Sequence, residues 1–207
     1  ERLIPAVKLL RSNFPEASIS VDTFRSSIAK AAVEAGADII NDISGGTMDN
    51  KMFSTIAQLQ VPYVLMHIQG TPETMQDNPH YKDVTIEVIS DLMLKLDQLK
   101  NLGVHDVIID PGFGFGKTVG QNFSLLNDLK QFAVLGHPIL VGLSRKSMIN
   151  RVLGSNPETA LNGTTALNMI ALERGASILR VHDVKEAMEC VKLNTAISNS
   201  NSNFGDS

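Results

Sequence analysis

One segment of the chain reads Val107-Ile108-Ile109-Asp110-Pro111-Gly112-Phe113-Gly114-Phe115-Gly116-Lys117. Its apolar start is typical of a buried strand, because Val and Ile favour strands and no polar residue alternates with them. The strand then ends in a carboxylate and breaks into alternating glycine and phenylalanine. Glycine lets the backbone approach a ligand closely, and phenylalanine offers a flat face. The segment therefore predicts a strand whose carboxyl end contacts a flat, nitrogen-rich ring.

Two common nucleotide-binding motifs are excluded by spacing. The phosphate loop would need glycine at the position of Pro111, and the dinucleotide motif, started at Gly112, would need glycine at the position of Lys117. A simpler interpretation stays open for this segment alone, in which a glycine-rich exit from a strand packs its phenylalanines inward.

Similar apolar runs alternate with amphipathic stretches along the whole chain. An opening helix is predicted over 2–12, and Asn156-Pro157-Glu158 is typical of a later helix start. Alternating strands and helices predict an α/β fold with parallel strands and right-handed crossovers. The predicted strands are 18–23, 38–43, 62–67, 106–110, 138–144 and 178–182.

Two architectures fit this alternation, a doubly wound open sheet and an eight-stranded β/α barrel. A barrel takes about 250 residues, whereas this chain has 207, shows six strands and opens on a helix. If the fold is a barrel, we therefore expect its first β-α-β segment to be missing. Residues 1–197 would form that domain, and residues 198–207, rich in Asn and Ser, would form a disordered tail.

The bulk composition limits the class of protein. A net charge of −4 without a dense Lys/Arg cluster argues against nucleic acid as a partner. The single cysteine, Cys190, forms no internal disulfide and fits a reducing, cytoplasmic location. No apolar run approaches the roughly 18 residues of a membrane span, so we expect neither a membrane segment nor a signal peptide.

Every predicted strand ends at or beside residues with binding chemistry. In parallel α/β folds ligands bind at the carboxyl ends of strands, so these groups should converge. Helix capping is an alternative role for Thr23 and Asp183. The strand ends are Asp22-Thr23, Asn41-Asp42, Met66-His67, Asp110, Ser144-Arg145-Lys146, and Arg180 with His182-Asp183.

The chemistry of these ends predicts a pocket with two halves. The carboxylate of Asp110 and the carboxamide of Asn41 suit a ring with adjacent donors and acceptors. Arg180 and His182 alternate on one strand, face the same side and suit a phosphate or diphosphate. Lys146 follows a neighbouring strand and would contact both halves.

With these motifs in place, the chain resembles the dihydropteroate synthase family, the folate-pathway enzymes that sulfonamides inhibit. The resemblance runs to about residue 197 and implies an eight-stranded β/α (TIM) barrel, here without its first β-α-β segment. The motifs that carry it are Ser20-Val21-Asp22-Thr23, Ile40-Asn41-Asp42, Leu65-Met66-His67 with Gln69-Gly70, Asp110 to Lys117, Gly142-Leu143-Ser144-Arg145-Lys146-Ser147, and Arg180-Val181-His182-Asp183.

The resemblance implies a transferase. It would condense 6-hydroxymethyl-7,8-dihydropterin diphosphate with 4-aminobenzoate to give 7,8-dihydropteroate and diphosphate, with Asp22 and Lys146 as catalytic residues. The implied pterin contacts are Asp22, Asn41, Met66, Asp110, Gly142 and Lys146. The implied 4-aminobenzoate contacts are Phe115, Ser144 and Lys146, and Arg180 and His182 are implied for the diphosphate.

The resemblance also implies Mg²⁺ travelling with the diphosphate, and a homodimer. The family's Asn-Val-Thr-Pro-Asp-Ser-Phe type motif, whose asparagine helps to hold the metal, and its Glu-Ser-Thr-Arg-Pro type motif are not among these 207 residues. We therefore expect no metal ligand in this chain and an N-terminally truncated synthase whose own turnover is an open question.

Two rival functions remain on sequence grounds. A folate- or pterin-dependent methyltransferase barrel would share contacts of the Asp22, Asn41 and Asp110 type, and a non-catalytic pterin-binding remnant would lack the same N-terminal motifs. The Ser-Arg-Lys-Ser and Arg-Val-His-Asp segments favour the synthase.

Two further side chains are assigned on sequence grounds. The spacing of His67, His80, His105 and His137 predicts no zinc site; His67 is expected to border the pocket. Arg145 should point away from the pocket and form a structural pair.

Overall fold

The structure is a computed structural model that describes residues 2–70 and 79–200. Helices and parallel strands alternate in it, so the predicted α/β class is confirmed. The elements are α1 (Leu3–Asn13), β1 (Ser20–Asp22), α2 (Ser26–Glu34), β2 (Ile39–Asp42), α3 (Met52–Leu59), β3 (Tyr63–Met66), α4 (Val84–Asn101), β4 (Val107–Asp110), α5 (Val119–Asn127), a 3-10 helix (Leu129–Leu135), β5 (Leu140–Val141), α6 (Ser147–Leu153), α7 (Leu161–Glu173), β6 (Ile178–Leu179) and α8 (Val184–Ser200).

The strands follow one another in space in the order of the chain. β1 to β4 form one parallel sheet, β5 pairs with β6, and a parallel bridge between Ile109 and Ile139 places β5 beside β4. The order never reverses across the part of the chain that the structure describes. A doubly wound sheet requires such a reversal, so the open-sheet alternative does not fit these strands.

The six predicted strands are all present but shorter than expected. β5 is reduced to Leu140–Val141 within the predicted range 138–144, and β6 to Ile178–Leu179. Pro138 cannot donate a ladder hydrogen bond, and the chain turns into the site beyond Val141. The opening helix begins and ends within one residue of its prediction.

Both faces of the sheet are buried, as parallel strands require. One face packs against the helices through residues such as Leu65, Ile109 and Val141. A small second cluster of Val64, Ile108 and Leu140, with Ile39 packed against it, occupies the other face. Residues two positions further along each strand lie on that same second face. These are Asn41, Met66, Asp110 and Gly142, which are four of the predicted pterin contacts.

One predicted helix start is wrong. Asn156 does not begin a helix; its side chain accepts a hydrogen bond from the Thr159 backbone N–H at 3.0 Å and closes a single turn. α7 begins only at Leu161. The local capping signal is therefore satisfied within a turn, since Asn and Thr side chains bond the backbone in turns as well as at helix ends.

The last helix extends further toward the C-terminus than the sequence predicted. α8 continues to Ser200, so the first three residues of the predicted tail are helical, and residues 201–207 lie outside the described residues. Over residues 2–70 and 79–200, no helix combines the length and the apolar content needed to cross a membrane.

The loop after β4 depends on a glycine that nothing larger can replace. Gly112 has φ +73°, and a Cβ there would lie 1.9 Å from the His67 carbonyl oxygen. Left-handed strain and overpacking together predict that Gly112→Ala lowers the free energy of unfolding by about 2–5 kcal/mol. Denaturant unfolding would measure this loss. Gly103→Ala is the matched control, because Gly103 has φ +80° and nothing within 4 Å of its added Cβ; it should lose only about 1–2 kcal/mol. Equal losses would contradict the steric argument.

Candidate active site

The predicted site residues gather at one edge of the strands. Each one lies at the carboxyl end of a strand or in the loop that follows it, and the parallel pairing brings these ends together. This common placement is confirmed. The residues are Asp22 at the end of β1, Asn41 on β2, Met66 on β3, Asp110 and Phe115 at and after β4, Gly142, Ser144 and Lys146 after β5, and Arg180 and His182 after β6.

Asp22, at the end of β1, contacts side chains from the ends of two other strands, β2 and β6. Its Oδ1 accepts a hydrogen bond from the Asn41 amide nitrogen at 2.7 Å, and its Oδ2 lies 3.4 Å from Arg180 Nη1. The Asp22 side chain is 62% exposed, so both contacts are made at an accessible surface. One carboxylate thus contacts the amide of β2 and the guanidinium that follows β6.

Asn41 carries an acceptor that the protein leaves unused. The residue is 2% exposed, and its amide oxygen has no hydrogen-bond partner among the described residues. A buried polar atom without a partner costs about 1–3 kcal/mol. A bound ligand with an N–H donor would recover that cost, which favours a donor-bearing ring at this position.

Asp110 and Lys146 carry opposite charges that act on each other across the site. Asp110 is 2% exposed and accepts a hydrogen bond from the Gly112 backbone N–H at 2.8 Å. Burial raises the pKa of Asp110, against the opposing charge of Lys146. Burial also lowers the pKa of Lys146 to about 8, with Asp110 opposing the shift. Both groups are held where a polar ligand would compensate their desolvation.

A cavity of about 320 Å³ lies between the ends of β1, β5 and β6. It is lined by Asp22, Gly142, Ser144, Lys146, Arg180, Val181 and His182. The Ser144 hydroxyl lies 2.9 Å from His182 Nδ1 and accepts a hydrogen bond from the His182 backbone N–H at 3.3 Å. Hydroxyl, imidazole and guanidinium groups on one wall make this cavity suitable for an anion.

The aromatic face of the site is supplied by Phe115. The Lys146 ammonium lies 5.0 Å from the centroid of its ring, within cation–π range, and donates a hydrogen bond to the Phe113 carbonyl. Lys146 also lines the cavity, so it stands between the ring and the anion wall. Met66 is fully buried at the end of β3 and can offer only an apolar floor.

Arg145 does not line the cavity. Its guanidinium binds both carboxylate oxygens of Asp183, at 2.6 Å and 3.1 Å, and this contact raises the pKa of Arg145. The prediction of a structural pair is confirmed. Thr23 accepts a hydrogen bond from the Arg25 backbone N–H at 3.1 Å, which closes a turn just before α2. It does not cap the helix, because the first helical N–H donates to Asp49 at 2.8 Å.

Two buried residues beside the site received no catalytic or binding role from the sequence. Lys117 is 3% exposed, and its ammonium lies 3.0 Å from Nδ1 of His67, which is itself 5% exposed. The sequence did contain a signal for Lys117, because this lysine directly follows Gly-Phe-Gly in the loop after a buried strand. A lysine in such a loop is expected to be buried only if its ammonium group is paired.

No group of three or more His, Cys, Asp or Glu side chains in residues 2–70 and 79–200 is arranged to hold a metal ion. Asp22 is the one carboxylate among the residues that line the cavity.

Known proteins resemble this chain over nearly its whole length. A family model described as pterin binding enzyme matches residues 1–182. A dihydropteroate synthase from Synechocystis is 40% identical over 200 residues, which cover 95% of this chain and 69% of that protein.

Two solved structures extend the likeness to the fold. A dihydropteroate synthase from Stenotrophomonas maltophilia, with imidazole bound in its active site, matches with a TM-score of 0.91 and 40% identity over 95% of this chain and 75% of that one. The enzyme from Xanthomonas albilineans in complex with 7,8-dihydropteroate matches with a TM-score of 0.88 and 37% identity over 95% of this chain and 74% of that one.

Proposed function

This chain belongs to the dihydropteroate synthase family of pterin-binding enzymes, and we propose that it catalyses the condensation after which that family is named. The amine of 4-aminobenzoate would attack the methylene carbon of 6-hydroxymethyl-7,8-dihydropterin diphosphate. The carbon–oxygen bond would break, the diphosphate would leave with the bonding electrons, and the new secondary amine would release a proton to water.

The position of Asp22 carries this proposal. It contacts Asn41 on the side where a pterin ring would lie and Arg180 on the side of the anion wall, at 2.7 Å and 3.4 Å. The scissile bond joins those two halves of the substrate. A carboxylate at that junction would stabilise positive charge that develops on the dihydropterin as the bond breaks.

The remaining site residues bind and orient the substrates in this proposal. Asp110 and the unused oxygen of Asn41 would accept hydrogen bonds from the pterin, above Met66 and Gly142. Arg180 and His182 would hold the departing diphosphate. Lys146 and Ser144 would hold the 4-aminobenzoate beside Phe115. The aromatic amine is neutral at pH 7, so the attack needs orientation more than a strong base.

We propose further that the six strands occupy consecutive positions in a β/α barrel. Their sequential order without reversal supports this architecture. The contact of Arg180 with Asp22 also supports it, because it brings the end of β6 close to the end of β1.

Magnesium enters the proposal as part of the substrate. Mg²⁺ is commonly bound by one or two carboxylates together with substrate phosphates and water. No cluster of metal ligands is arranged among the described residues, and the cavity has one carboxylate, Asp22. Mg²⁺ would therefore be held mainly by the diphosphate and water. The metal would neutralise part of the charge on the leaving group.

We propose that the protein is cytoplasmic and forms a homodimer. A cytoplasmic location is supported by the single, unpaired Cys190. A homodimer is supported by apolar side chains exposed on α8, including Val184, Met188 and Leu193. Sedimentation of the chain over a range of concentrations would test the dimer, and a monomer at every concentration would exclude it.

The direct test is an assay of product formation. The purified chain, 4-aminobenzoate, the pterin diphosphate and Mg²⁺ should yield 7,8-dihydropteroate and diphosphate in equal amounts, detected by mass spectrometry. Pterin binding without turnover would identify a binding remnant. Demethylation of a methylated folate in the presence of a corrinoid would identify a methyltransferase.

Arg180→Ala should weaken binding in the diphosphate half of the pocket and leave binding in the pterin half unchanged. Loss of a charged hydrogen-bond donor predicts an affinity for the pterin diphosphate about 10- to 100-fold weaker. Affinity for the free hydroxymethylpterin should stay unchanged, because Arg180 is part of the anion wall, which the free pterin does not contact. Calorimetric titration with both ligands measures this difference. Arg151→Ala, at an exposed position of α6, is the control and should alter neither. Equal losses for both ligands with Arg180→Ala would contradict the assignment.

A further inference from the structure

Lys117 is buried with a complete set of neutral acceptors. Its ammonium lies 3.0 Å from the Gly112 carbonyl oxygen, 3.1 Å from the Phe115 carbonyl oxygen and 3.0 Å from His67 Nδ1. An ammonium group has three N–H donors, so each of them has a partner. Among residues 2–70 and 79–200 no carboxylate lies within ion-pair distance of this lysine.

His67 supplies a fixed acceptor for this lysine. Burial, together with the charges of Lys117 and Lys95, lowers the pKa of His67 to about 2, so its ring is neutral and Nδ1 accepts the hydrogen bond. Its backbone N–H donates to the Asp110 carbonyl at 3.0 Å, which ties it to the end of β4. Lys117 is therefore held by a buried imidazole whose backbone is hydrogen-bonded to the end of β4.

The 112–116 loop is held by its carbonyl groups. Lys117 binds the carbonyls of Gly112 and Phe115, Lys146 binds that of Phe113, and the Tyr81 hydroxyl donates to that of Gly116 at 2.9 Å. Of the two carbonyls that Lys117 bonds, one directly precedes Phe113 and the other belongs to Phe115 itself. These contacts fix the backbone from which the Phe115 ring projects, and the Lys146 ammonium lies 5.0 Å from the centroid of that ring.

A role in stability alone does not account for this arrangement. Burial lowers the pKa of Lys117 to about 7, against the opposing charge of Asp110. The folded protein therefore makes the charged form less favourable than it is in water. The lysine is retained at this cost because of the three groups that it bonds: without it, the carbonyls of Gly112 and Phe115 and Nδ1 of His67 would lose this donor. Both carbonyls belong to the loop that carries Phe115.

We propose that Lys117, anchored on His67, is a positioning residue that holds the Phe115 ring in place for the 4-aminobenzoate substrate. The inference rests on the proposed function. The lysine fixes the loop before the substrate arrives, so binding does not incur the cost of ordering it. The pterin contacts Asp22, Asn41 and Met66 lie on β1, β2 and β3, outside the loop that Lys117 holds, so the pterin half should depend on this contact far less.

The test compares Lys117→Met with Lys95→Met. Lys95 is also buried, but it pairs with Asp91 at 2.7 Å, and within residues 2–70 and 79–200 it donates no hydrogen bond to the 112–116 loop. Lys117→Met should raise the KM for 4-aminobenzoate about 10- to 100-fold and leave the Kd for pterin diphosphate within about threefold. Tm should fall without loss of the folded state, because three acceptors lose their ammonium donor. Lys95→Met should change neither constant. A parallel loss of pterin affinity, or an unchanged KM for 4-aminobenzoate, would overturn the proposal.

Two further measurements keep this test independent of folding and of the proposed reaction. Tyr81→Phe removes only the hydroxyl bonded to Gly116 and should raise the same KM by about three- to tenfold. Amide hydrogen exchange over 112–116 should accelerate in Lys117→Met and not in Lys95→Met. If the wild-type chain lacks synthase activity, the proposed function fails while the exchange experiment still decides whether Lys117 holds the loop. Unchanged exchange would remove the positioning role.

Discussion

Lys146→Ala is expected to reduce kcat/KM for dihydropteroate formation by about 10²–10³-fold, the size of effect seen when one preorganised donor is removed from an active site. The ammonium of Lys146 lines the anion cavity, contacts the ring of Phe115 and lies within the field of Asp110. One substitution therefore removes a group shared by the sites proposed for both substrates.

The kinetic pattern distinguishes this role from a packing defect. Loss of Lys146 should lower kcat and raise the KM values of both substrates, because the same donor faces both. Lys130→Ala, at an exposed position of the 3-10 helix, is the matched control and should behave as wild type. Steady-state assays with each substrate varied in turn measure the effect. Turnover at the wild-type rate in Lys146→Ala would remove the central assignment of the site.

The sequence alone was sufficient to predict which strand ends meet. Parallel strands expose their carboxyl ends at one edge, so Asn41, Asp110 and Lys146 had to converge once the strands were identified. Period-two alternation along the strands also predicts that Asn41 and Asp110 share a face with the apolar residues two positions earlier. The direction of Arg145 followed from the same rule.

Features that depend on long-range contacts escaped prediction. Local capping chemistry placed a helix start at Asn156, where the same side chain closes a turn. The lengths of β5 and β6 depend on where the chain turns into the site. Lys117 was visible as a lysine next to a glycine-rich loop, but its acceptor His67 lies fifty residues away in the sequence. No local pattern records a contact between one loop and the end of a different strand.

Asp110→Asn should abolish most pterin binding while leaving the fold intact. Asparagine has nearly the same shape and can still accept the hydrogen bond that the Gly112 backbone N–H donates at 2.8 Å. Its amide nitrogen, however, would present a donor toward a ring edge that itself donates. A site that leaves buried polar groups mismatched discriminates strongly, and we expect affinity for the pterin diphosphate to fall about 100- to 1000-fold.

Stability should move in the opposite direction to binding in this variant. Burial raises the pKa of Asp110, which means that the folded protein disfavours its charged form, and the neutral amide removes that penalty. Tm should therefore be unchanged or higher. Asp106→Asn is the control, because Asp106 is exposed just before β4, at the opposite end of the strand. Calorimetric titration with 6-hydroxymethylpterin diphosphate and Mg²⁺, beside thermal unfolding, gives both quantities. Pterin affinity within about threefold of wild type would show that Asp110 is not the pterin contact, whereas weaker binding together with lower Tm would point to a damaged fold.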